Sequence, residues 1–258
     1  MNRDDRPSEV QLTWLGQAGF RVDVGGRQLL VDPWLSPHEL RAIAIPPMSL
    51  AVEGVEWLLV THEHIDHLDL PFLPQLLATS PDVRVVLPEP VAPALDGIVE
   101  PDRILTVQPG DVVDLDGLRV HVVPAYHGVT MEDAYGDGSA IDGRPRFVGY
   151  VLESSPRVYH AGDTVVRIEL LAALAGLGVE VALLPVNGRD ADREARGIIG
   201  NMDAAEAVDL ALAIGASTLI PYHWDGFAGN TTPPGAAADA ADGRIRVVVP
   251  ARCRPFTP

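Results

Sequence analysis

Apolar residues along this chain come in short runs broken by glycine, proline and charge, and the runs change character midway. Gln11 to Leu15, Phe20 to Val24 and Gln28 to Asp32 read as short strands, with Gly25-Gly26 as a hairpin turn. Trp57 to Thr61 is a continuous apolar run and reads as a buried strand. Asp69 to Thr79 reads as a helix, with Asp69 as N-cap and Pro71 in the first turn, where its missing N–H is no loss. Val83 to Leu87 is a strand, followed by a short proline-flanked helix. Ile104 to Val107, Val112 to Leu115 and Leu118 to Val123 read as successive antiparallel strands. Asp116-Gly117 joins the last two, because both residue types accept the positive φ of a tight hairpin. Phe147 to Leu152 and Val158 to His160 form the next pair. Arg167 to Leu177 reads as a helix ending near Gly178, and Val181 to Pro185 as a strand. Asp203 to Ile214 is a helix opened by a capping box of Asp203 and Glu206. Ser217 to Pro221 and Ile245 to Val249 complete the strands.

Strands dominate the first half and strand–helix alternation the second, which predicts an α/β chain with two sheets flanked by helices. No linker, repeat or low-complexity tract interrupts it, so residues 1–258 are expected to form a single domain with a flexible N-terminus over 1–8. Val129 to Arg144 is rich in Gly and Asp without a period; it reads as a surface loop, with a flap beside the site as the alternative.

The chemistry concentrates in Thr61-His62-Glu63-His64-Ile65-Asp66-His67, where three imidazoles and a carboxylate fall within six residues. A spacing of two puts His62 and His64 on one side of an extended segment, and Asp66 and His67 point elsewhere as the chain turns. Such a segment cannot aim all four groups at one tetrahedral ion. The pattern fits two adjacent metal sites fed from one loop. Further donors stand where later strands meet loops: His127 in Ala125-Tyr126-His127-Gly128, Asp163 in Ala161-Gly162-Asp163-Thr164, and His223 in Pro221-Tyr222-His223-Trp224.

Composition narrows the partners. The net charge of −17 disfavours a nonspecific nucleic-acid binder, which needs a basic face to replace phosphate counterions. All 19 basic residues are arginine, which removes Schiff-base lysine chemistry. Cys253 is the single cysteine, so no internal disulfide forms. The charged start of the chain lacks an apolar signal core, and no apolar run is long enough for a membrane span. The expected location is the cytoplasm, and the expected partner a small-molecule substrate.

The Thr61–His67 motif, with His127, Asp163 and His223 following in order, resembles the metallo-β-lactamase superfamily. That resemblance implies the αβ/βα four-layer sandwich. It further implies that His62, His64 and His127 hold one metal, that Asp66, His67 and His223 hold another, and that Asp163 bridges them. Imidazole and carboxylate donors suit Zn, Mn, Fe or Co, and the implied cofactor is one or two divalent ions, Mn or Zn. Trp14-Leu15-Gly16-Gln17-Ala18-Gly19-Phe20, Leu184 to Asp190, Gly200-Asn201-Met202 and Pro221 to Phe227 look like the L-ascorbate-6-phosphate lactonase-like branch. This likeness runs from about Gln11 to near Pro250 and leaves a homo-oligomer open.

The expected function is a metal-dependent hydrolase whose metal-activated hydroxide opens a sugar-type lactone, phosphorylated or not. The alternative is a phosphodiesterase or phospholipase D-like hydrolase on the same fold, and a noncatalytic metal-binding protein is a third reading. Asp66 is expected both to ligate an ion and to accept the proton of the attacking water. Asp32, in Val31-Asp32-Pro33, is the carboxylate expected to orient a ligand imidazole from behind, a turn-initiating role being the alternative. Thr61 and Thr164 are expected to fix the ligand loops. Asn187, Arg189 and Asn201 are the candidate substrate contacts, with Arg193 and Arg196 behind them; pairing with Asp190, Asp192 and Glu194 is the competing role for these arginines. Trp224 and Phe227 either wall the pocket or pack in the core. His38, His121 and His160 are not expected to be ligands.

Overall fold

The structure, a computed structural model, describes residues 9–47, 51–128, 140–188, 190–196 and 200–258. The N-terminal segment 1–8 and residues 129–139 of the expected loop lie outside the described residues. Strands β1 (Val10–Gly16), β2 (Gly19–Val24), β3 (Arg27–Val31), β4 (Trp57–Leu59), β5 (Arg84–Pro88) and β6 (Ile104–Val107) line up in chain order in one sheet. A C-terminal strand, Pro255–Phe256, joins its β1 edge. The second sheet begins with β7 (Val112–Leu115) and β8 (Leu118–Pro124), and a two-stranded hairpin, β9 (Ala140–Ile141) and β10 (Arg144–Pro145), stands apart. The second sheet continues through β11 (Val148–Leu152), β12 (Val158–His160), β13 (Val181–Pro185), β14 (Thr218–Tyr222) and β15 (Arg246–Val247).

Each sheet is antiparallel in its first part and parallel in its second. The switch falls between β3 and β4 in one sheet and between β12 and β13 in the other. The hairpins sit where the sequence places their turns. Gly25 and Gly26 take φ 59 and 80, Asp116 and Gly117 take φ 54 and 98, and these left-handed pairs match the twist of the flanking strands.

Between the sheets, inward faces carrying Leu12, Phe20, Leu29, Val120, Tyr150 and Leu183 form one buried core. Outside the first sheet, Leu58, Val85 and Leu87 pack on Phe72, Leu73 and Leu76. The last two belong to helix α1 (Leu73–Thr79), which follows a 3-10 turn over Leu70–Phe72. Outside the second sheet, Ala182, Leu184 and Leu219 pack on helices α2 (Ile168–Leu174), α4 (Ala204–Ala213) and α5 (Ala236–Ala241). A short α3 (Ala191–Ala195) precedes α4. Helix, sheet, sheet and helix stack as the four-layer αβ/βα sandwich.

Three local expectations are corrected. Asp69 does not cap the following helix through its side chain; its carboxylate instead accepts from the backbone N–H groups of Leu35 and Ser36, both at 2.7 Å, and from the Ser36 hydroxyl. A tertiary bond has outcompeted the local one. β6 is not the antiparallel neighbour of β7, but lies parallel to β5 at the edge of the first sheet. Its short run specifies a strand without specifying a neighbour, and the turn at Gln108–Asp111 carries the chain across to the other sheet. The helix from Ile168 stops at Leu174, because Ala175 leaves the helical region and Gly176 and Gly178 both take positive φ.

Gly162 separates β12 from Asp163 at φ 62, where a Cβ would stand 2.8 Å from both the Thr61 Cβ and the Val148 carbonyl. Gly162→Ala is therefore expected to destabilise by roughly 1–3 kcal/mol through overpacking, in addition to the left-handed backbone penalty. Gly176→Ala, also at positive φ but with nothing within 4 Å, should show only that penalty, about 1 kcal/mol. Urea unfolding of the two variants reads the difference.

Candidate metal centre

The polar groups of the site arrive from the C-terminal ends of strands. Asp32 follows β3, His62 follows β4, His127 follows β8, Asp163 follows β12 and His223 follows β14. Gln17 stands just beyond β1. Three of these residues are non-glycines in the left-handed region, with φ 51 at Gln17, 45 at Asp32 and 64 at His223. Such residues are uncommon, and here the kink turns each side chain off its strand toward the others.

The side chains converge as two sets. His62, His64 and His127 offer ring nitrogens within 4.8 Å of one another, the Asp66 carboxylate and the rings of His67 and His223 lie equally close, and His62, His67 and Asp163 form a third such group that links the two. Asp163 stands between the sets, 3.3 Å from His67 Nε2, 3.2 Å from His223 Nε2 and 3.6 Å from His127 Nε2.

Hydrogen bonds on the far side of each ring decide which nitrogen faces inward. Asp32 accepts from the Thr61 backbone N–H at 2.8 Å and hydroxyl at 2.6 Å, and from His67 Nδ1 at 2.7 Å. His67 Nδ1 therefore carries the proton and Nε2 faces the site. Thr61 Oγ1, with its hydrogen given to Asp32, accepts from His62 Nδ1 at 3.1 Å. His62 Nε2 then faces His64 Nδ1 at 3.0 Å, and two ring nitrogens that close need a proton or a cation between them. His127 Nδ1 donates to the Gly200 carbonyl at 2.9 Å, which turns Nε2 toward Asp163. Thr164 Oγ1 accepts from Tyr126 N–H at 3.0 Å, tying the loop of Asp163 to the segment carrying His127.

Electrostatics separate the two sets. Burial, reinforced by neighbouring imidazoles, holds His62 well below the ordinary imidazole range and His64 at about 4. Burial also lowers His127, so all three rings of this set are neutral, as ligation requires. In the other set burial lowers the imidazoles too, but Asp163 and Asp66 more than offset it. His67 is held well above its usual range and His223 is pushed up to about 9. Burial raises the two carboxyls, yet the facing imidazoles win and hold Asp66 and Asp163 well below the usual carboxylate range. Buried carboxylates of this kind need compensating positive charge, from imidazolium or from an ion. The donor chemistry, the inward nitrogens and this charge demand all fit divalent metal.

Several of these contacts were not legible in the motif. Gln17 donates from Nε2 to Asp66 Oδ2 at 2.8 Å. Phe147, fully buried, packs against the rings of His62, His64 and His127 at centroid distances of 5.0, 5.9 and 5.5 Å. Arg146 pairs with Glu63, fastening the metal loop to the start of β11.

The expected substrate contacts divide. Asn187 and Asn201 are buried, and the side-chain oxygen of each has no hydrogen-bond partner among the described residues. They lie against the metal loops: Met202 N–H donates to Thr164 O at 3.2 Å and Gly188 N–H to Met202 O at 3.0 Å. Arg189 lies outside the described residues. Arg193 is engaged with the carbonyls of Asn187 and Thr231, and Arg196 pairs with Asp192 at 3.0 Å. Trp224 packs on Trp14 at 5.0 Å and lies partly buried against the core, whereas Phe227 packs on Trp34 at 4.8 Å. His121 pairs with Glu153, His160 stacks on Tyr222, and His38 lies beside Trp34; none joins the cluster.

Fold and site together define a metal-dependent hydrolase built on a His/Asp cluster able to bind metal. The chain belongs to the β-lactamase superfamily: the family model of the beta-lactamase superfamily domain matches residues 27–224. It is 31% identical over 232 residues to a UPF0173 metal-dependent hydrolase of Aeropyrum pernix, the match covering 84% of each chain. Among solved structures it is similar to Igni18, a metallo hydrolase of Ignicoccus hospitalis, with TM-score 0.72, 22% identity and coverage of 96% of this chain and 97% of that one. It also shares its fold with an isothiocyanate hydrolase from Delia radicum gut bacteria, at TM-score 0.75, 20% identity and coverage of 95% and 98%. No helix among the described residues is long and apolar enough to cross a membrane.

Two outcomes are expected. Asp32→Asn, which weakens the acceptor behind His67 and Thr61, should lower metal affinity by about 10–100-fold in chelator competition. Metal-stripped protein should be most stable near pH 6.5. His64, depressed from 6.5 to about 4, removes stability as pH falls below 6.5, and His62 and His127 act in the same direction. His223, raised from 6.5 to about 9, contributes stability that is present below 6.5 and lost as pH rises through 9; His67 acts likewise. Thermal melts of the stripped protein across that range test the bell shape.

Proposed function

We propose that this metal-dependent hydrolase opens a hydroxylated, sugar-type lactone. The observation that carries the reading is the pair of buried amide oxygens on Asn187 and Asn201, which have no partner among the described residues and belong to segments that adjoin the metal loops. Buried acceptors without donors are costly, by ~1–3 kcal/mol each, and substrate hydroxyls would satisfy them. In the same reading His62, His64 and His127 hold one ion, Asp66, His67 and His223 a second, and Asp163 lies across both.

Bound divalent ions supply Lewis acidity and water acidified to near neutral pH. The chain supplies the rest. Asp66, whose carboxylate stands beside His67 and His223, accepts the proton that the attacking water gives up. Asn187 and Asn201 accept from the ring hydroxyls and set the carbonyl's orientation. Phe147 covers the histidine rings and keeps bulk water off that side.

The arginines bear on phosphorylation. Arg193 is engaged by backbone carbonyls and Arg196 by Asp192, so neither offers the open fork that grips a phosphate. Among the described residues these two arginines give no support to a phosphate grip, which leaves Arg189, outside them, as the residue on which a phosphorylated lactone would depend.

The test is to strip the protein, restore Mn or Zn, and assay a lactone panel beside bis(p-nitrophenyl) phosphate and an isothiocyanate. Metal-dependent lactone opening should appear and fall by about 100-fold or more in Asp66→Ala. Asn201→Ala should raise KM by roughly 10-fold, the worth of a buried hydrogen bond. Phosphodiester or isothiocyanate turnover with inert lactones would overturn the proposal.

A further inference from the structure

We propose that Gln17 is a positioning residue that holds Asp66 and His223 as a second metal-binding set, and so decides whether the chain binds one ion or two. The inference rests on the two-set reading of the site given above.

Gln17 is buried, 1% exposed, and is fixed from every side. Its carbonyl accepts from Trp14 Nε1 at 3.0 Å and from the His223 N–H at 3.2 Å, and its own N–H donates to Asp225 Oδ1 at 2.9 Å. The backbone at φ 51 is thereby bolted to the segment that carries His223. The side chain is just as constrained. Its Oε1 accepts from the Gly226 N–H at 2.9 Å, which settles the orientation of the carboxamide, since a backbone N–H can face only the oxygen end. The NH2 end must therefore point the other way, and there it meets Asp66 Oδ2 at 2.8 Å. Gly226 is required for this approach, because a Cβ there would stand 2.1 Å from Gln17 Oε1.

The contact with His223 is of a different kind. Gln17 Nε2 lies 3.0 Å from Nε2 and 3.3 Å from Nδ1 of that ring. No point in the ring plane is that close to both nitrogens without overlapping the Cε1 between them. The amide therefore sits over the ring face and leaves the in-plane lone pair available to a cation. One uncharged group thus fixes the carboxylate by a hydrogen bond and the imidazole by its face, while adding no charge to the site.

This support is one-sided. The side chain of Gln17 bonds to members of the Asp66/His67/His223 set, whereas His62 is oriented by Thr61 and His127 by Gly200. Losing it should weaken one ion and spare the other. Sequence reasoning placed Gln17 inside the Trp14–Phe20 stretch without a role; the three-dimensional return of Gly226 gives it one.

The experiment titrates stripped protein with Zn or Co against a chromophoric chelator, with metal counted by mass spectrometry. Gln17→Leu keeps the volume and removes the amide; Gln17→Gly accepts the left-handed backbone and guards against a folding failure. Wild type should take two equivalents. Both variants should keep the tighter equivalent within about 2-fold and weaken the other by about 10–100-fold, with a matching loss of one set of Co absorption bands. Asp66→Asn removes a ligand as well as this bond, so adding it to Gln17→Leu should weaken the same equivalent further, but by less than Asp66→Asn does in the wild type. Unchanged affinities in folded variants, or equal weakening of both equivalents, would overturn the role of Gln17. A single equivalent in the wild type would overturn the two-set reading itself and this inference with it, and would be visible before any variant is made.

Discussion

The negative charge buried at Asp66 and Asp163 is the constraint on which the rest of this structure depends. Both carboxylates are almost inaccessible to water, and both are held in the charged form by imidazoles that burial alone would neutralise. Charge of this sign cannot be kept in a core without positive charge nearby. His67 and His223 supply it in protonated form, at the expense of their readiness as ligands. A divalent ion supplies it without that conflict. The neutral trio of His62, His64 and His127 has no such burden and stands ready for metal as it is. The two halves of the site are therefore unequal before any ion arrives, one preorganised and one in need of charge exchange.

The sandwich makes this concentration of polar groups possible by separating strength from chemistry. The apolar faces of two seven-stranded sheets carry the core, and the site occupies only the ends of their strands. At those ends the backbone departs from extended geometry at Gln17, Asp32 and His223. Strain of this kind persists only where surrounding contacts over-determine it. Each residue has such contacts: Asp32 holds Thr61 and His67, Gln17 holds Asp66, and His223 is bound through its backbone to Gln17.

Much of this was legible in the amino-acid order, and the reasons for success and failure are physical. Thr61 to His67 is local, so spacing alone assigns its donors to two directions. His127, Asp163 and His223 follow apolar runs, and a strand end is readable from such a run. Asp32 was readable as a candidate because an Asp closing an apolar strand must find a donor. Gln17, Phe147 and Gly200 were not, because their roles arise from contacts spanning between 49 and 209 positions for Gln17 and 73 for Gly200. Asp69 misled for a related reason. A local cap and a distant pair of N–H groups compete for the same carboxylate, and only the fold brings the distant pair within reach.

Substrate choice turns on which polar groups remain once the metal ligands are themselves supported. Of the arginines that suggested a phosphate grip, Arg193 is engaged by carbonyls and Arg196 by Asp192, and Arg189 lies outside the described residues. Among the described residues the buried amide oxygens of Asn187 and Asn201 remain without a partner, and they are uncharged. The net charge of −17 means that an anionic substrate would need a local positive group at the entrance. The same field draws divalent cations inward. Bulk charge and site chemistry thus agree on the cation, and the neutral, hydroxylated substrate proposed above is the partner that needs no further positive group.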